Sequence, residues 1–264
     1  MDFTTSDNKK LFYDYHLIDN TKPTLVFLNG LTQSTISWAM FKPYFEASHN
    51  ILLMDFVFQG QSDKNAEVRN FDLHAQDVKE LLGFLHLDNP ILLGISYGSL
   101  VAQHYAVNYS DNLSKLILLS TFAKKNEFYK AIELSWQRAL DAGGYELMLD
   151  IMLPYVLSDV YFQNPLMPID LMKSMRKDLH PNSEHIKKLM QATQQRADYI
   201  ENLQNVKVPT LVIQGEKDLL FPPFMAKEVA SAIKNAQLEI IQNAGHTLNL
   251  EKTDKVIEAI KKFL

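Results

Sequence analysis

Gly94-Ile95-Ser96-Tyr97-Gly98 decides the fold of this chain, because it places one serine between two glycines where a strand should turn into a helix. Residues 90–93 form a short apolar run that indicates a buried strand, and residues 100–106 carry apolar side chains at helical spacing. A G-x-S-x-G at such a junction is typical of a nucleophile elbow, a tight strained turn that exposes the serine oxygen. The stretch therefore predicts that Ser96 is a nucleophile.

A serine hydroxyl is a weak nucleophile near neutral pH, so Ser96 requires a base and a group that orients the base. In folds built on this elbow, an acid and then a histidine follow the serine, each after a later strand. Residues 208–215 indicate one such strand, which precedes Glu216-Lys217-Asp218. Residues 238–241 indicate another, which precedes Asn243-Ala244-Gly245-His246. This order predicts His246 as the base, with its acid among the residues after the first of these strands.

These motifs resemble the α/β-hydrolase family, and the resemblance covers nearly the whole chain apart from a middle segment. It implies that Ser96 is the nucleophile, that His246 is the general base and then the general acid, and that Asp218 orients the histidine. Gly-Glu-x-Asp places Asp218 at the family's usual position, which favours it over the alternative acid Glu216. Some members take the acid after the preceding strand, but residues 120–122 offer no carboxylate here.

The resemblance also implies an oxyanion hole made of two backbone N–H groups. Tyr97, which follows the nucleophile, should supply one of them. Residues 24–28 indicate the third strand, and Leu31 in the loop after it should supply the other. The family commonly has His-Gly in this loop, where this chain has Asn29-Gly30. We therefore expect the hole to persist without the supporting contact that the family's histidine makes.

The chain contains eight histidines, and a single histidine is more often a surface or core residue than a catalytic one. We expect structural roles for all of them except His246. His104 follows Ser96 by two helical turns, too far along the helix to act as its base. The others are His16, His49, His74, His86, His180 and His185.

Composition limits the classes of function. With 264 residues and 47% hydrophobic content, the chain can bury one large core. A net charge of −5 and a pI near 5.9 argue against nucleic acid as a partner. The absence of cysteine excludes disulfides, thiol nucleophiles and thiolate metal sites. The predicted chemistry requires no cofactor or metal, and its partner would be a small-molecule ester or thioester.

Targeting signals are not evident in the sequence. The first eight residues have neither a basic segment nor an apolar one, so they predict no secretory signal. No apolar run approaches the roughly 20 residues that cross a bilayer. We expect a soluble cytoplasmic protein without a membrane span, and the sequence leaves its oligomeric state open.

Strands and helices alternate along the rest of the chain, which predicts a mostly parallel sheet. A turn at residues 7–10 precedes a strand-like segment at 11–17, so an antiparallel hairpin should open the sheet. With the resemblance, this predicts the α/β-hydrolase fold, an eight-stranded sheet flanked by helices. The later strands lie near residues 24–28, 51–54, 91–94, 115–119, 209–213 and 238–241, and two helices near 72–87 and 253–264.

The alternation is interrupted once, between the strands predicted at 115–119 and 209–213, by more residues than one connecting helix needs. By resemblance, this segment is a helical cap inserted after strand six. We therefore predict a core made of residues 1–122 and 205–264, with a cap insertion at 123–204. The cap should contain helices at 125–142, 144–157, 168–179 and 182–202.

The predicted cap is rich in methionine and aromatic residues, which suit a pocket for an apolar acyl group. Most of them should join the cap helices to one another and to the core, and some should line the pocket. They are Met148, Met152, Met167, Met172, Met175, Met190, Phe128, Tyr129, Trp136, Tyr155, Tyr161 and Phe162.

Motifs near the elbow distinguish chemistries within the family. Epoxide hydrolases and haloalkane dehalogenases use an aspartate nucleophile, so Ser96 excludes both. The His-Gly-Gly-Pro-Gly loop of proline iminopeptidases is absent, although Ser96-Tyr97-Gly98-Ser99 is similar to their elbow. Asn29-Gly30 and Asp55-x-x-Phe58-x-Gly60-Gln61-Ser62 resemble bacterial hydroxyacyl transferases, which pass an acyl group from the same triad to a hydroxyl or thiol acceptor.

The sequence thus favours a serine hydrolase that cleaves a carboxylic ester or thioester with a small to medium apolar acyl part. An acyltransferase that uses the same residues is the alternative. A non-catalytic binder is a third reading, since fold alone does not dictate function. It has the least support, because the serine, the histidine and the elbow glycines are all present.

Overall fold

An eight-stranded sheet forms the centre of the molecule, in the spatial order β1-β2-β4-β3-β5-β6-β7-β8. The structure is a computed structural model that describes residues 1–179 and 183–264, with the backbone alone for 175–179. β1 pairs antiparallel with β2 and β2 with β4, whereas every later pair is parallel, which confirms the predicted fold and its opening hairpin. The strands are β1 Asp2–Thr4, β2 Lys10–His16, β3 Thr24–Leu28, β4 Asn50–Met54, β5 Ile91–Ile95, β6 Lys115–Leu119, β7 Thr210–Gly215 and β8 Ala236–Ile241.

Helices cover both faces of the sheet, so each central strand sends alternate side chains into two separate cores. Along β3, for example, Val26 and Leu28 enter one core, while Leu25 and Phe27 enter the other. None of the described helices is long and apolar enough to cross a membrane. The helices are α1 Phe71–Phe84, α2 Tyr97–Asn108, α3 Glu127–Val156, α4 Asp159–Gln163, α5 Ile169–Leu179, α6 Glu184–Gln195, α7 Pro223–Ala232, α8 Leu248–Glu251 and α9 Thr253–Phe263.

Helices α3 to α6 lie between β6 and β7, where the sequence predicts an insertion. α3 covers both of the first two predicted helices and is kinked between them, because Gly143 and Gly144 depart from helical geometry. The sequence missed α4, since five residues are too few to show a periodic pattern.

The last helix of the insertion is shorter than predicted. α6 ends at Gln195 and not at residue 202, because Arg196 is extended and turns its side chain into the protein. The predicted start of this helix at Asn182 lies outside the described residues, as does His180.

Two glycines let the elbow pack against its neighbours. A Cβ added to Gly94 would lie 2.3 Å from the carbonyl oxygen of Gly98, and one added to Gly98 would lie 2.2 Å from the carbonyl oxygen of Leu28. Both obstacles are backbone atoms, which cannot move aside as a flexible side chain can. The turn from β5 into α2 therefore requires glycine at both positions.

We expect Gly94→Ala to lower the free energy of unfolding by about 1–3 kcal/mol, as overpacking does elsewhere. Gly83→Ala in α1 is the matched control, because a Cβ there would meet nothing within 4 Å. That substitution should raise the free energy of unfolding by up to about 1 kcal/mol through helix propensity. Urea denaturation measures both, and a similar change in the two variants would contradict the close approach at the elbow.

His74 is fully buried in α1 against the rings of Phe56 and Tyr97. Among the described residues neither of its ring nitrogens has a hydrogen-bond partner, and the nearest carboxylate oxygen, from Asp77, is 3.8 Å away. Burial, together with the charge of Arg69, lowers the pKa of His74 to about 3. The folded protein therefore keeps this imidazole neutral at a pH where the unfolded chain protonates it.

The contribution of His74 to stability should be complete above the unfolded pKa of about 6.5 and should decline as the pH falls towards 3. One such group changes the free energy of unfolding by at most about 1.4 kcal/mol per pH unit. We expect the free energy of unfolding, measured by urea titration, to fall less steeply between pH 6 and pH 4 in His74→Phe than in wild type. His86→Asn replaces an exposed histidine and should leave this pH dependence of the free energy of unfolding unchanged. An unchanged pH dependence in His74→Phe as well would show that His74 does not contribute to it.

Candidate active site

Ser96 occupies the sharp turn between β5 and α2. Its backbone has φ 51° and ψ −117°, a left-handed conformation that costs a residue with a side chain roughly 1–3 kcal/mol. The turn is held in part by a hydrogen bond from the Ser96 N–H to the carbonyl oxygen of Leu119 at 2.9 Å. The side chain is partly exposed and lies on the wall of a cavity.

The structure brings together the three residues that the sequence predicts as a triad. Nε2 of His246 lies 2.9 Å from Oγ of Ser96, and Nδ1 of the same ring lies 2.8 Å from Oδ2 of Asp218. Because an ionised carboxylate only accepts hydrogen bonds, Nδ1 carries the proton and Nε2 is left to accept from the serine hydroxyl. This arrangement can move the hydroxyl proton of Ser96 onto His246.

Backbone and side-chain donors fix Asp218, which is buried. Its Oδ1 accepts from the N–H groups of Leu220 and Phe221 at 2.9 and 2.8 Å, and its Oδ2 accepts from Nε2 of Gln214 at 2.6 Å. Glu216, the alternative acid, is exposed and accepts from the N–H of Asn243. The structure therefore places Asp218, and not Glu216, against the histidine.

The amide of Gln214 continues a line of buried hydrogen bonds that sequence reasoning missed. Its Oε1 accepts from the N–H of Thr121 at 3.2 Å, and Oγ1 of Thr121 accepts from Nε2 of Gln103 at 2.8 Å. Oε1 of Gln103 accepts from Nη2 of Arg196 at 2.8 Å. A line of hydrogen-bonded groups thus joins Asp218 to the residue that ends α6.

Arg196 is itself deeply buried, and this burial lowers the pKa of its guanidinium to about 10. Its Nε donates to Nε2 of His104 at 3.2 Å, and Nδ1 of His104 donates to Asp72 at 2.8 Å. Burial and the neighbouring charge of Arg196 lower the pKa of His104 to about 4. His104 therefore has the structural role that the sequence predicts, as a neutral link between Arg196 and Asp72.

Hydrogen bonds hold the backbone at His246 and at Gly245, the residue before it. Oγ of Ser120 donates to the carbonyl oxygen of His246 at 2.7 Å. Oε2 of Glu251, a buried carboxylate, accepts from the N–H of Gly245 at 3.1 Å and from Oγ of Ser158 at 2.5 Å. Because Ser158 caps the N-terminus of α4, Glu251 connects the helices after β6 to the histidine loop. Burial raises the pKa of this carboxyl.

Leu31 and Tyr97, the predicted oxyanion-hole residues, line the same cavity as Ser96. Among the described residues, neither of their backbone N–H groups has an acceptor. Both remain available to a ligand.

Asn29 and Gln59 support this loop in the absence of the family's histidine. Nε1 of Trp38 donates to Oδ1 of Asn29 at 2.8 Å, and Nδ2 of Asn29 donates to the carbonyl oxygen of Met54 at 2.8 Å. Nε2 of Gln59 donates to the carbonyl oxygen of Gly30 at 2.8 Å. The expected loss of a supporting contact is therefore offset by the hydrogen bonds of Gln59 and of Asn29 itself.

A largely apolar cavity of about 70 Å³ lies beside Ser96. One side of it includes Phe122, which follows β6, and Leu220 and Phe221, which follow β7. The other side comes from the helices between β6 and β7 and consists of Tyr129, Trp136, Met152, Val156 and Thr193.

Three of the residues that the sequence singles out in the predicted cap line the cavity: Tyr129, Trp136 and Met152. The other nine do not line it, apart from Met175, whose side chain lies outside the described residues. Four of the others are buried in a hydrophobic cluster, namely Met148, Met172, Met190 and Tyr161. Two are partly buried, Met167 and Tyr155, and two are exposed, Phe128 and Phe162.

A carboxyl group lies behind the cavity wall. The hydroxyl of Tyr129 donates to Oε1 of Glu133 at 3.2 Å, and burial raises the pKa of Glu133 to about 7. The sequence gives no signal for this carboxyl, since a glutamate within a helix is ordinarily exposed.

Comparison with known proteins identifies relatives over most of the chain. The family described as alpha/beta hydrolase fold matches residues 23–253. A proline iminopeptidase of Pestalotiopsis fici is 29% identical over 82% of this chain and 82% of its own length. An AB hydrolase superfamily protein of Bacillus subtilis is 28% identical over 90% of each chain.

Solved structures agree with this placement. An alpha/beta hydrolase enzyme from a Medee basin deep-sea metagenome library superposes with a TM-score of 0.92, is 28% identical, and is matched over 100% of this chain and 96% of its own. A thermophilic esterase from Thermogutta terrifontis superposes with a TM-score of 0.87 at 23% identity, over 100% of this chain and 97% of its own. At that identity, the second comparison supports the fold alone.

The strained conformation of Ser96 predicts the relative stability of two variants. Ser96→Gly should be more stable than Ser96→Ala by about 1 kcal/mol, because glycine tolerates the left-handed turn and alanine does not. Ser135, in the ordinary helical part of α3, provides the control, and there the alanine variant should be the more stable by about 1 kcal/mol. Denaturant unfolding of the glycine and alanine variants at both sites measures these differences. If alanine were the more stable residue at both sites, the turn at Ser96 would be unstrained.

Proposed function

This chain belongs to the α/β-hydrolase fold family, and we propose that it is a serine hydrolase that cleaves a carboxylic ester or thioester through an acyl-enzyme on Ser96. One observation carries the proposal. An uninterrupted line of hydrogen bonds runs from Ser96 through His246 to Asp218 beside a small apolar cavity.

In the proposed first half-reaction, Oγ of Ser96 attacks the carbonyl carbon and its proton passes to Nε2 of His246. Negative charge develops on the carbonyl oxygen, and the N–H groups of Leu31 and Tyr97 stabilise it. His246 then returns the proton to the leaving alcohol or thiol as the bond from the carbonyl carbon breaks. The acyl group remains on Ser96.

In the second half-reaction, His246 takes a proton from water, and the resulting oxygen attacks the acyl-enzyme. The carboxylic acid leaves and Ser96 recovers its proton from His246. Asp218 orients the imidazole and stabilises the imidazolium in both halves.

The cavity sets the expected size of the acyl group. A dry cavity of roughly 150 Å³ holds a benzene molecule, so the about 70 Å³ beside Ser96 suits an acyl chain of roughly three carbons. We propose that residues 123–204 form a cap whose side chains Tyr129, Trp136 and Met152 close this space. The core would then consist of residues 1–122 and 205–264.

We expect hydrolysis of p-nitrophenyl esters to peak between acetate and butanoate and to fall for octanoate. Ser96→Ala should abolish this turnover and leave the unfolding transition in place. Asp218→Asn should lower kcat by about 10⁴-fold, because it favours the wrong histidine tautomer. Glu216→Gln, a change at the neighbouring exposed carboxylate, should alter kcat less than twofold.

Three results would contradict the proposal in whole or in part. A Ser96-dependent burst of p-nitrophenol without steady turnover would show that water is a poor acceptor, which is the behaviour of an acyltransferase. Steady turnover that persists in Ser96→Ala would refute the mechanism. A large loss in Glu216→Gln with none in Asp218→Asn would reverse the choice of acid.

A further inference from the structure

Ser120 and Thr121, the two residues that follow β6, connect by hydrogen bonds to all three residues of the triad. Both side chains are fully buried and lie outside the lining of the cavity beside Ser96. Ser120 has a left-handed backbone with φ 49°, which is uncommon for a residue with a side chain. Such strained backbone persists only where the surrounding structure holds it, and it concentrates at functional sites.

Ser120 holds the residue that carries the catalytic imidazole. Its Oγ donates to the carbonyl oxygen of His246 at 2.7 Å, and its backbone N–H donates to the carbonyl oxygen of Ile213 in β7 at 2.9 Å. The ring of His246 faces Ser96 on one side and Asp218 on the other. The hydroxyl of Ser120 therefore fixes the backbone from which that ring reaches both partners.

The hydroxyl of Thr121 connects to the nucleophile turn through Ser99. Oγ of Ser99 lies 2.6 Å from the carbonyl oxygen of Ser96 and 2.8 Å from Oγ1 of Thr121. Because a carbonyl oxygen only accepts, Ser99 gives its one proton to Ser96 and accepts from Thr121. Thr121 is free to donate, since its Oγ1 already accepts from Nε2 of Gln103 at 2.8 Å. The amide of Gln103 is oriented in this way because its oxygen accepts from Arg196.

The backbone N–H of Thr121 connects to the acid through Gln214. It donates to Oε1 of Gln214 at 3.2 Å, and Nε2 of that amide donates to Oδ2 of Asp218 at 2.6 Å and to the carbonyl oxygen of Phe221 at 2.7 Å. Gln214 and Ser99 are fully buried, as Thr121 is. The partners fix the direction of these hydrogen bonds, so the buried groups have one favoured arrangement.

We infer that Ser120 and Thr121 are positioning residues that hold Ser96, His246 and Asp218 in register with one another. The inference rests on the proposed function and deepens it, because it names the groups that keep the triad in its reactive geometry. A displacement of roughly 1 Å between reacting groups lowers a rate by about 100-fold. Loss of either hydroxyl should therefore lower kcat, whereas KM should change little because the cavity lining is unaltered.

Variants that remove one hydroxyl at a time test the inference. Ser120→Ala and Thr121→Val each remove a hydroxyl and keep the backbone N–H, whereas Thr121→Ser keeps the hydroxyl and removes a methyl group. Ser114→Ala and Thr210→Val are the matched controls. Their hydroxyls also donate to backbone carbonyl oxygens, but Ser114 precedes β6 and Thr210 begins β7, at the opposite ends of these strands from the triad.

With p-nitrophenyl butanoate, we expect kcat per active site to fall roughly ten- to hundredfold in Ser120→Ala and in Thr121→Val, with KM changed less than about threefold. Thr121→Ser and both controls should keep kcat within about threefold of wild type. Active sites are counted by the p-nitrophenol that diethyl p-nitrophenyl phosphate releases when Ser96 displaces it from phosphorus. Molecules that fail to fold therefore do not enter kcat.

A kcat within about threefold of wild type in Ser120→Ala or in Thr121→Val would overturn the inference for that residue and leave the proposed function standing. An equal loss in Thr121→Ser and Thr121→Val would overturn it for Thr121, because packing of the methyl group would then matter and the hydroxyl would not. The absence of Ser96-dependent ester hydrolysis in wild type would instead overturn the proposed function.

The rate at which the same phosphate modifies Ser96 is a second measurement that does not depend on the acyl group of the substrate. This reaction uses the serine and its base alone, so it reports the alignment of the triad directly. We expect the rate to fall at least about tenfold in Ser120→Ala and Thr121→Val and to stay near the wild-type value in Thr121→Ser. Equal rates in wild type and in both hydroxyl-deleting variants would overturn the inference.

Discussion

The close backbone contact at the nucleophile turn is the constraint on which the rest of the site depends. Ser96 is held in a left-handed conformation because Gly94 and Gly98 allow the first turn of α2 to approach the strand before it and the loop after β3. The same approach brings the N–H of Tyr97 and the loop that contains Leu31 to the wall of one cavity. The strain at a single residue thus positions both the nucleophile and the groups that can receive negative charge beside it.

Buried polar side chains make the site rigid and connect it to the helices between β6 and β7. Asp218 has all of its acceptor positions occupied by Gln214, His246 and two backbone N–H groups. From Gln214 the hydrogen bonds continue through Thr121 to Gln103 and the guanidinium of Arg196. Because the local dielectric is low, each satisfied bond in such a network is strong and each lost partner is costly. The end of α6 and the triad are therefore parts of one polar structure.

The cavity beside Ser96 is small, and its lining is mainly apolar. Under the proposed function, the burial of a short acyl chain against these apolar walls would favour binding. The size and polarity of the cavity add to what the fold indicates, since the fold by itself supports many different chemistries.

The sequence by itself determined the features that depend on neighbouring residues. The glycines around Ser96, the alternation of strands and helices, and the positions of Asp218 and His246 directly after strands can all be recognised locally, because backbone geometry and hydrophobic periodicity act over a few residues. Only the tertiary structure decided which side chains from distant parts of the chain meet. Gln214, Ser120 and Glu251 support the triad residues through contacts that no local pattern encodes. Packing alone selected which methionine and aromatic residues between β6 and β7 line the cavity. The end of α6 is a further case, because the burial of Arg196 against α2 overrides the helical pattern of the sequence that follows.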